Sequence, residues 1–266
     1  MIKYTISALF IYIIIGIILF FFQRKILFNV SGNPKKPKEY GLTNVLEVSI
    51  STSDNLDLLA WYHEPLKEKP ILIYFHGNSF DIGERAYRIK RYTDHGFGVL
   101  LLAWRGYSGN SGKPSEKNLY IDGESAIQWV KNKLNCNTDQ IIIYGESLGS
   151  AVAVEMGTKY KFKSIILEAP FTSITEIAQK RYFLYPVRSL ILDKFDNFSK
   201  IDKIKSPLFI ISGKKDEIVP HSHSQKLYMK AKAPKKKLFI DEAMHNNLYD
   251  FNIDNDVINF SLKIWK

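Results

Sequence analysis

The 266-residue sequence predicts a doubly wound α/β domain with a mostly parallel sheet, mounted behind an apolar N-terminal helix. Three observations point there. Short runs that are apolar at nearly every position alternate with longer amphipathic ones, the pattern of strands covered by helices on both faces. The stretch 6–22, ISALFIYIIIGIILFFF, carries no charge and is bracketed by Lys3 and by Arg24-Lys25. One strand-like run, 140–145, passes directly into Gly145-Glu146-Ser147-Leu148-Gly149 at the start of an apparent helix.

Bulk composition narrows the choice. With 45% hydrophobic and 14% aromatic residues the chain can bury a large core, which excludes a disordered protein. The single cysteine, Cys136, cannot form an internal disulfide, and no Cys/His group has zinc spacing, so no metal site is expected. The formal charge of +10, from 37 basic and 27 acidic residues, suits an anionic lipid surface. The lysines are dispersed and no nucleic-acid motif accompanies them, so nucleic acid is not an expected partner.

Taken in order, the first element is 6–22, about 25 Å long as a helix. With its flanks it approaches the ~30 Å hydrocarbon layer. It ends in three phenylalanines and a basic pair rather than a small-x-small cleavage site. Residues 1–30 therefore read as an uncleaved single-pass anchor in contact with membrane lipid. Arg24, Lys25, Lys35, Lys36 and Lys38 outnumber the basic groups before the span, which favours a cytoplasmic domain. Residues 31–43, SGNPKKPKEYGLT, read as a linker, and 44–266 as the domain. Runs 45–51 and 56–62, joined by Thr52-Ser53-Asp54-Asn55, predict a hairpin. Further strands are expected at 70–75, 98–104, 140–145, 164–169, 207–212 and 236–241. Helices are expected at 81–95, 116–134, 148–159, about 222–232, and 246–264. Helix 116–134 places Leu119, Ala126, Ile127, Val130 and Leu134 on one face. Residues 171–205 exceed an ordinary crossover and predict a small helical cap insertion above the sheet's carboxyl edge.

The tight turn at Ser147 gives the chain a candidate nucleophile. A residue held between strand end and helix start needs unusual backbone angles, and bulky side chains two positions to either side would clash. The helix N-terminus also offers N–H groups to a developing anion. A serine hydroxyl needs a base. Of six histidines, His245 follows the last strand and precedes the last helix, where it can reach the sheet's carboxyl edge. His221 and His223 begin a helix after a proline and are expected to be exposed. His63 and His95 close a strand and a helix. Asp216, directly after strand 207–212, is the expected partner of that histidine, with Glu168 the alternative acid. Glu217, Asp241 and Glu242 lie nearby in sequence. In His76-Gly77-Asn78-Ser79, Gly77 allows a turn that aims the Asn78 amide at the site; the Leu148 amide is the second oxyanion donor. Such a donor is worth about 3–4 kcal/mol in the transition state.

The segments HGNSFDIGERA, AWRGYSGNSGKPSE, GESLGSAVA, DKFDNFSKI, SPLFIISGKKDEIVP and MHNNL, in that order, resemble the α/β-hydrolase superfamily across nearly everything after the linker. The nearest texture is that of the membrane-anchored bud-emergence-type hydrolases, related to serine-aminopeptidase-like sequences. The resemblance implies an eight-stranded sheet, a Ser147-Asp216-His245 triad and a structural role for Arg105 and Tyr107. Ser150 stands where the family often has glycine, and Ala103-Trp104 replaces its usual tyrosine; neither touches the triad. The expected chemistry is cofactor-free cleavage of carboxylic esters or thioesters of acylated or lipid-like substrates. The rival readings are a serine aminopeptidase, with Glu146 or Glu168 receiving the free amine, and a non-catalytic anchored scaffold. Carbon–carbon or peroxide chemistry on the same triad is a further alternative.

Overall fold

The computed structural model describes residues 2–263. Its strands are β1 (Leu46–Ser51), β2 (Asp57–His63), β3 (Ile71–Phe75), β4 (Gly98–Leu102), β5 (Ile141–Glu146), β6 (Ser164–Glu168), β7 (Leu208–Gly213) and β8 (Lys235–Ile240). They form one sheet in the order β1-β2-β4-β3-β5-β6-β7-β8. The β1–β2 and β2–β4 pairs are antiparallel and every later pair is parallel. In β3, β4, β5, β6 and β7 every residue is buried, as two-sided helical cover requires. The edge strand β8 is only half-buried and opens with three lysines, which discourage pairing with another chain.

The helices are α1 (Ile2–Leu27), α2 (Ala86–Thr93), α3 (Glu116–Leu134), α4 (Leu148–Lys159), α5 (Ile174–Arg181), α6 (Val187–Leu190), α7 (Ser222–Lys230) and α8 (Ile253–Leu262). Leu119, Ala126, Val152 and Leu227 place α3, α4 and α7 against one face of the sheet. Ile89, Tyr92, Val257 and Phe260 place α2 and α8 against the other. The face expected of helix 116–134 is the one buried, and the ends of several helices differ where local chemistry intervenes. Asp81 caps a 3-10 turn, Ile82–Arg85, before α2 begins. Helix α7 stops at Lys230, where Ala231 turns out of the helical conformation. The expected helix 246–264 is a 3-10 turn, Leu248–Phe251, then left-handed Asn252 and α8. Ile264 lies outside the described residues.

Helix α1 is long and apolar enough to cross a membrane. Its lower half is not free. Tyr12 stacks on Tyr185 at 4.6 Å. Gln23 accepts from the Leu192 N–H at 2.8 Å and donates to the Leu190 carbonyl, and Arg24 pairs with Asp193 at 2.7 Å. Phe28 then enters the core against Phe195. The stretch 31–43 is packed rather than loose: Pro37 and Leu42 are buried and Tyr40 lies on Trp61. Helices α5 and α6 fall within 171–205, over the carboxyl edge of the sheet.

Candidate active site

Ser147 sits between β5 and α4 at φ 47°, ψ −110°, a conformation costing about 1–3 kcal/mol that the buried elements on either side enforce. Its amide donates to the Glu168 carbonyl at 2.8 Å, tying the bend to the neighbouring strand. The flanking glycines have spatial causes. A Cβ on Gly149 would stand 2.0 Å from the Phe75 carbonyl oxygen, and one on Gly145 would meet the Ser150 Cα at 2.6 Å. No side chain fits at either place.

The Ser147 hydroxyl lies 3.1 Å from His245 Nε2, and His245 Nδ1 lies 2.7 Å from Asp216 Oδ2. A carboxylate cannot donate, so Nδ1 carries the proton and Nε2 is left to accept from the serine. Asp216 is itself fixed: its other oxygen accepts the Ile218 and Val219 amides at 2.9 and 2.7 Å, and its side chain is 0% exposed. Gly213 brings the two loops together, since a Cβ there would lie 2.1 Å from the Ala243 carbonyl oxygen.

Asn78 and Leu148 line the same pocket as Ser147 and His245. The Leu148 amide is the first of α4 and has no intrahelical acceptor. Among the described residues nothing accepts the Asn78 amide. Three groups hold the Asn78 side chain. Its Oδ1 accepts from the Asn29 N–H at 2.9 Å and from the Tyr107 hydroxyl at 2.6 Å, and its Nδ2 donates to the Leu27 carbonyl at 2.6 Å. The strained residues Ser79 (φ 127°) and Phe80 (φ 61°) follow, pinned by Arg85 donating to the Ser79 carbonyl at 2.8 Å.

Beneath the bend lies a buried ionic network. Arg85 reaches Glu146 at 2.8 Å and Arg88 reaches Glu168 at 3.1 Å; Tyr74 and Tyr144 also donate to these carboxylates. Burial pushes the Glu146 carboxyl up, but Arg85 and Arg88 outweigh it and hold it below the ordinary range. Burial raises Glu168, opposed by Arg88. Removing one member of such a buried set typically costs about 3–5 kcal/mol.

The structure therefore unites Ser147, Asp216, His245, Asn78 and Leu148, and separates the alternatives. The Glu168 carboxyl is bound to Arg88 and Tyr144, whereas Asp216 holds the imidazole. Glu217 is exposed, and Asp241 and Glu242 pair with Lys214 and Lys215. His221 and His223, expected to be exposed, are half-buried, meeting Ser212 and Thr172 at 2.8 and 2.7 Å. Their helix packs its N-terminus onto the sheet. Arg105 is wedged between Asp54 and Asp122, a structural role. Of the groups that position Asn78, Leu27 and Asn29 escape sequence reasoning, whereas Tyr107 was expected to be structural and bonds the Asn78 side chain.

The pocket holds about 410 Å³ and is walled by the loop 77–80, by α5 and α6, and by the second half of α1.

A parallel sheet in this strand order, with a serine on a strained strand-to-helix bend at its carboxyl edge, defines an α/β hydrolase. Among solved structures the fold is similar to the Pyrococcus furiosus esterase Pf2001, with a TM-score of 0.72, 21% identity, and coverage of 87% of this chain and 94% of that one. It is also similar to the Pyrococcus horikoshii acylaminoacyl peptidase, with a TM-score of 0.66, 18% identity, and coverage of 84% of this chain and 42% of that one. At these identities the likeness is one of fold. The chain belongs to the prolyl oligopeptidase family (peptidase S9), whose family model matches residues 87–247. It is 32% identical over 236 residues to the Uncharacterized protein Rv2307c of Mycobacterium tuberculosis, covering 87% of this chain and 84% of that protein. It is 33% identical over 181 residues to human Alpha/beta hydrolase domain-containing protein 17B, covering 68% of this chain and 62% of that protein.

Proposed function

We propose that the chain is a membrane-anchored serine hydrolase that cleaves carboxylic esters or thioesters of acyl or lipid-like substrates through an acyl-enzyme. Ser147 Oγ attacks the carbonyl carbon as its proton passes to His245 Nε2. The oxyanion sits between the Asn78 and Leu148 amides. Collapse expels the alcohol or thiol, which takes the proton back from His245. Water, deprotonated by the same imidazole, then attacks the acyl-serine and releases the acid. Asp216 fixes the ring throughout. The observation that carries this reading is the strained Ser147 with its hydroxyl 3.1 Å from an imidazole already fixed by a buried carboxylate.

The family's name makes peptide cleavage the second reading. An aminopeptidase needs an unpaired acid to receive the substrate ammonium. The two acids that line the pocket among the described residues are Glu146 and Asp193, and each is bound to an arginine. That favours acyl substrates with neutral flanks. A fluorophosphonate probe tests the mechanism. It is expected to label the native chain and not Ser147→Ala, whose ester turnover falls about a millionfold, as in other serine triads. Equal labelling of the two chains would reject the nucleophile. A panel of short esters, acyl thioesters and aminoacyl amides separates the classes, and preference for the amides would favour the peptidase.

A further inference from the structure

We infer that the cleft between α1 and the 171–205 segment is the subsite for one long acyl chain of a membrane-resident substrate, so that α1 is a wall of the active site as well as an anchor. This rests on the hydrolase reading above and adds to it the substrate's class and its route of entry.

One face of α1 forms the wall. Gly16, Leu19, Phe20, Gln23 and Leu27 line the pocket at helical spacing, over a length of about 16 Å. Opposite stand Ile174, Ile177 and Ala178, one face of α5. Arg181 ends the same face of α5 and lies over the Tyr182 ring, whereas the two acids and the Gln23 amide between these walls are already satisfied. Glu146 is held by Arg85 and Asp193 by Arg24. The Gln23 amide accepts from the Leu192 N–H and donates to the Phe20 and Leu190 carbonyls. What remains for a ligand apart from Arg181 is mainly hydrocarbon, which suits an alkyl chain.

The far end of the cleft identifies the occupant's source. It lies where Gly16 meets Tyr185, inside the uncharged stretch 6–22 and about 9 Å along the helix from Phe22. One turn further on, Tyr12 stacks on Tyr185 and donates to the Leu184 carbonyl at 2.6 Å. There Phe183 and Leu184 are 73% and 66% exposed and continue the apolar outer surface of α1. A helix embedded over 6–22 carries this tip into the bilayer with it. A chain already dissolved in lipid reaches that end directly, whereas a water-soluble substrate must first cross lipid. Residue 16 is the narrow point, because a Cβ added there would stand 3.1 Å from the Tyr185 ring.

The test uses the full chain in phosphatidylcholine vesicles and the inactivation rates of ethyl and hexadecyl fluorophosphonates. The native chain is expected to favour the hexadecyl probe. Gly16→Leu at the far end and Ala178→Phe midway should each lower the hexadecyl-to-ethyl rate ratio by about tenfold, the order expected for a hydrophobic pocket. Phe21→Ala, at a position 76% exposed outside the pocket lining, should leave it unchanged. Each ratio is internal to its variant, and Ala178→Phe serves if Gly16→Leu does not fold. No chain preference in the native protein, or an unaltered ratio in the cleft variants, would overturn the subsite and leave the hydrolase standing. Failure of both probes to modify native Ser147 would overturn the hydrolase reading itself.

Discussion

His76 is fully buried one residue before the turn that carries Asn78, and both of its ring nitrogens are committed. Nδ1–H donates to the Gly77 carbonyl at 2.7 Å and Nε2 accepts the Trp104 N–H at 3.3 Å. Only the neutral imidazole can do both. Burial, aided by the nearby Arg85, holds its pKa down to about 3. An unfolded histidine titrates near ~6.5, so below that pH the unfolded chain binds a proton that the native state refuses. Above ~6.5 this group leaves stability untouched, and below it stability falls as pH approaches 3. The interval from pH 7 to 5 spans the titration of an unfolded histidine. The urea midpoint should therefore drop over that interval, and His76→Gln should flatten the slope while lowering the midpoint overall. Identical slopes for the two chains would show that His76 is not the group responsible.

At the scale of elements, the last turn of α1 clasps the loop that carries Asn78, the proposed oxyanion donor. The Leu27 carbonyl, the Asn29 amide and the Tyr107 hydroxyl all converge on the Asn78 side chain. Asn78→Ala keeps the backbone N–H but frees the loop around it. Misplacement by about 1 Å costs up to a hundredfold in rate, so kcat on a short ester should fall roughly tenfold to a hundredfold with little change in KM. A loss under twofold would mean that the clasp does not position the donor. The strands and the bend at Ser147 were legible because continuous apolar runs and paired glycines each have one cheap structural solution. The order of Ser147, Asp216 and His245 was legible because each follows a strand end. The seating of α1 was not legible. A stretch apolar on every side has no periodic face to show which residues meet protein, and Gly16 and Gln23 look unremarkable until Tyr185 and Leu192 lie opposite them. Nor did the proline-rich 31–43 advertise that Tyr40 would dock on Trp61.

For the whole molecule, this close mounting constrains how the proposed membrane-anchored hydrolase would meet a bilayer. No free spacer separates anchor from domain: α1 passes directly into buried Phe28, and the following stretch is laid against the surface. The carboxyl edge of the sheet, where Ser147 and His245 lie, therefore faces the bilayer if α1 spans it. The net charge of +10 then adds attraction to an anionic leaflet, most strongly at low salt. If α1 spans, Arg24, Lys25, Lys35, Lys36 and Lys38 at its end and beyond, against Lys3 before it, make a cytoplasmic domain the expected orientation. Two measurements check this. Alkaline carbonate should leave the chain in the membrane pellet, since a helix inserted through hydrocarbon is not released by disrupting surface charge. Complete appearance in the supernatant would reject the span. Trypsin added to intact cells stripped of their outer layers should then spare the domain, whose exposed lysines become cleavable only after the membrane is opened. Cleavage before opening would reverse the orientation and place the pocket, with the leaflet that supplies it, on the outer side.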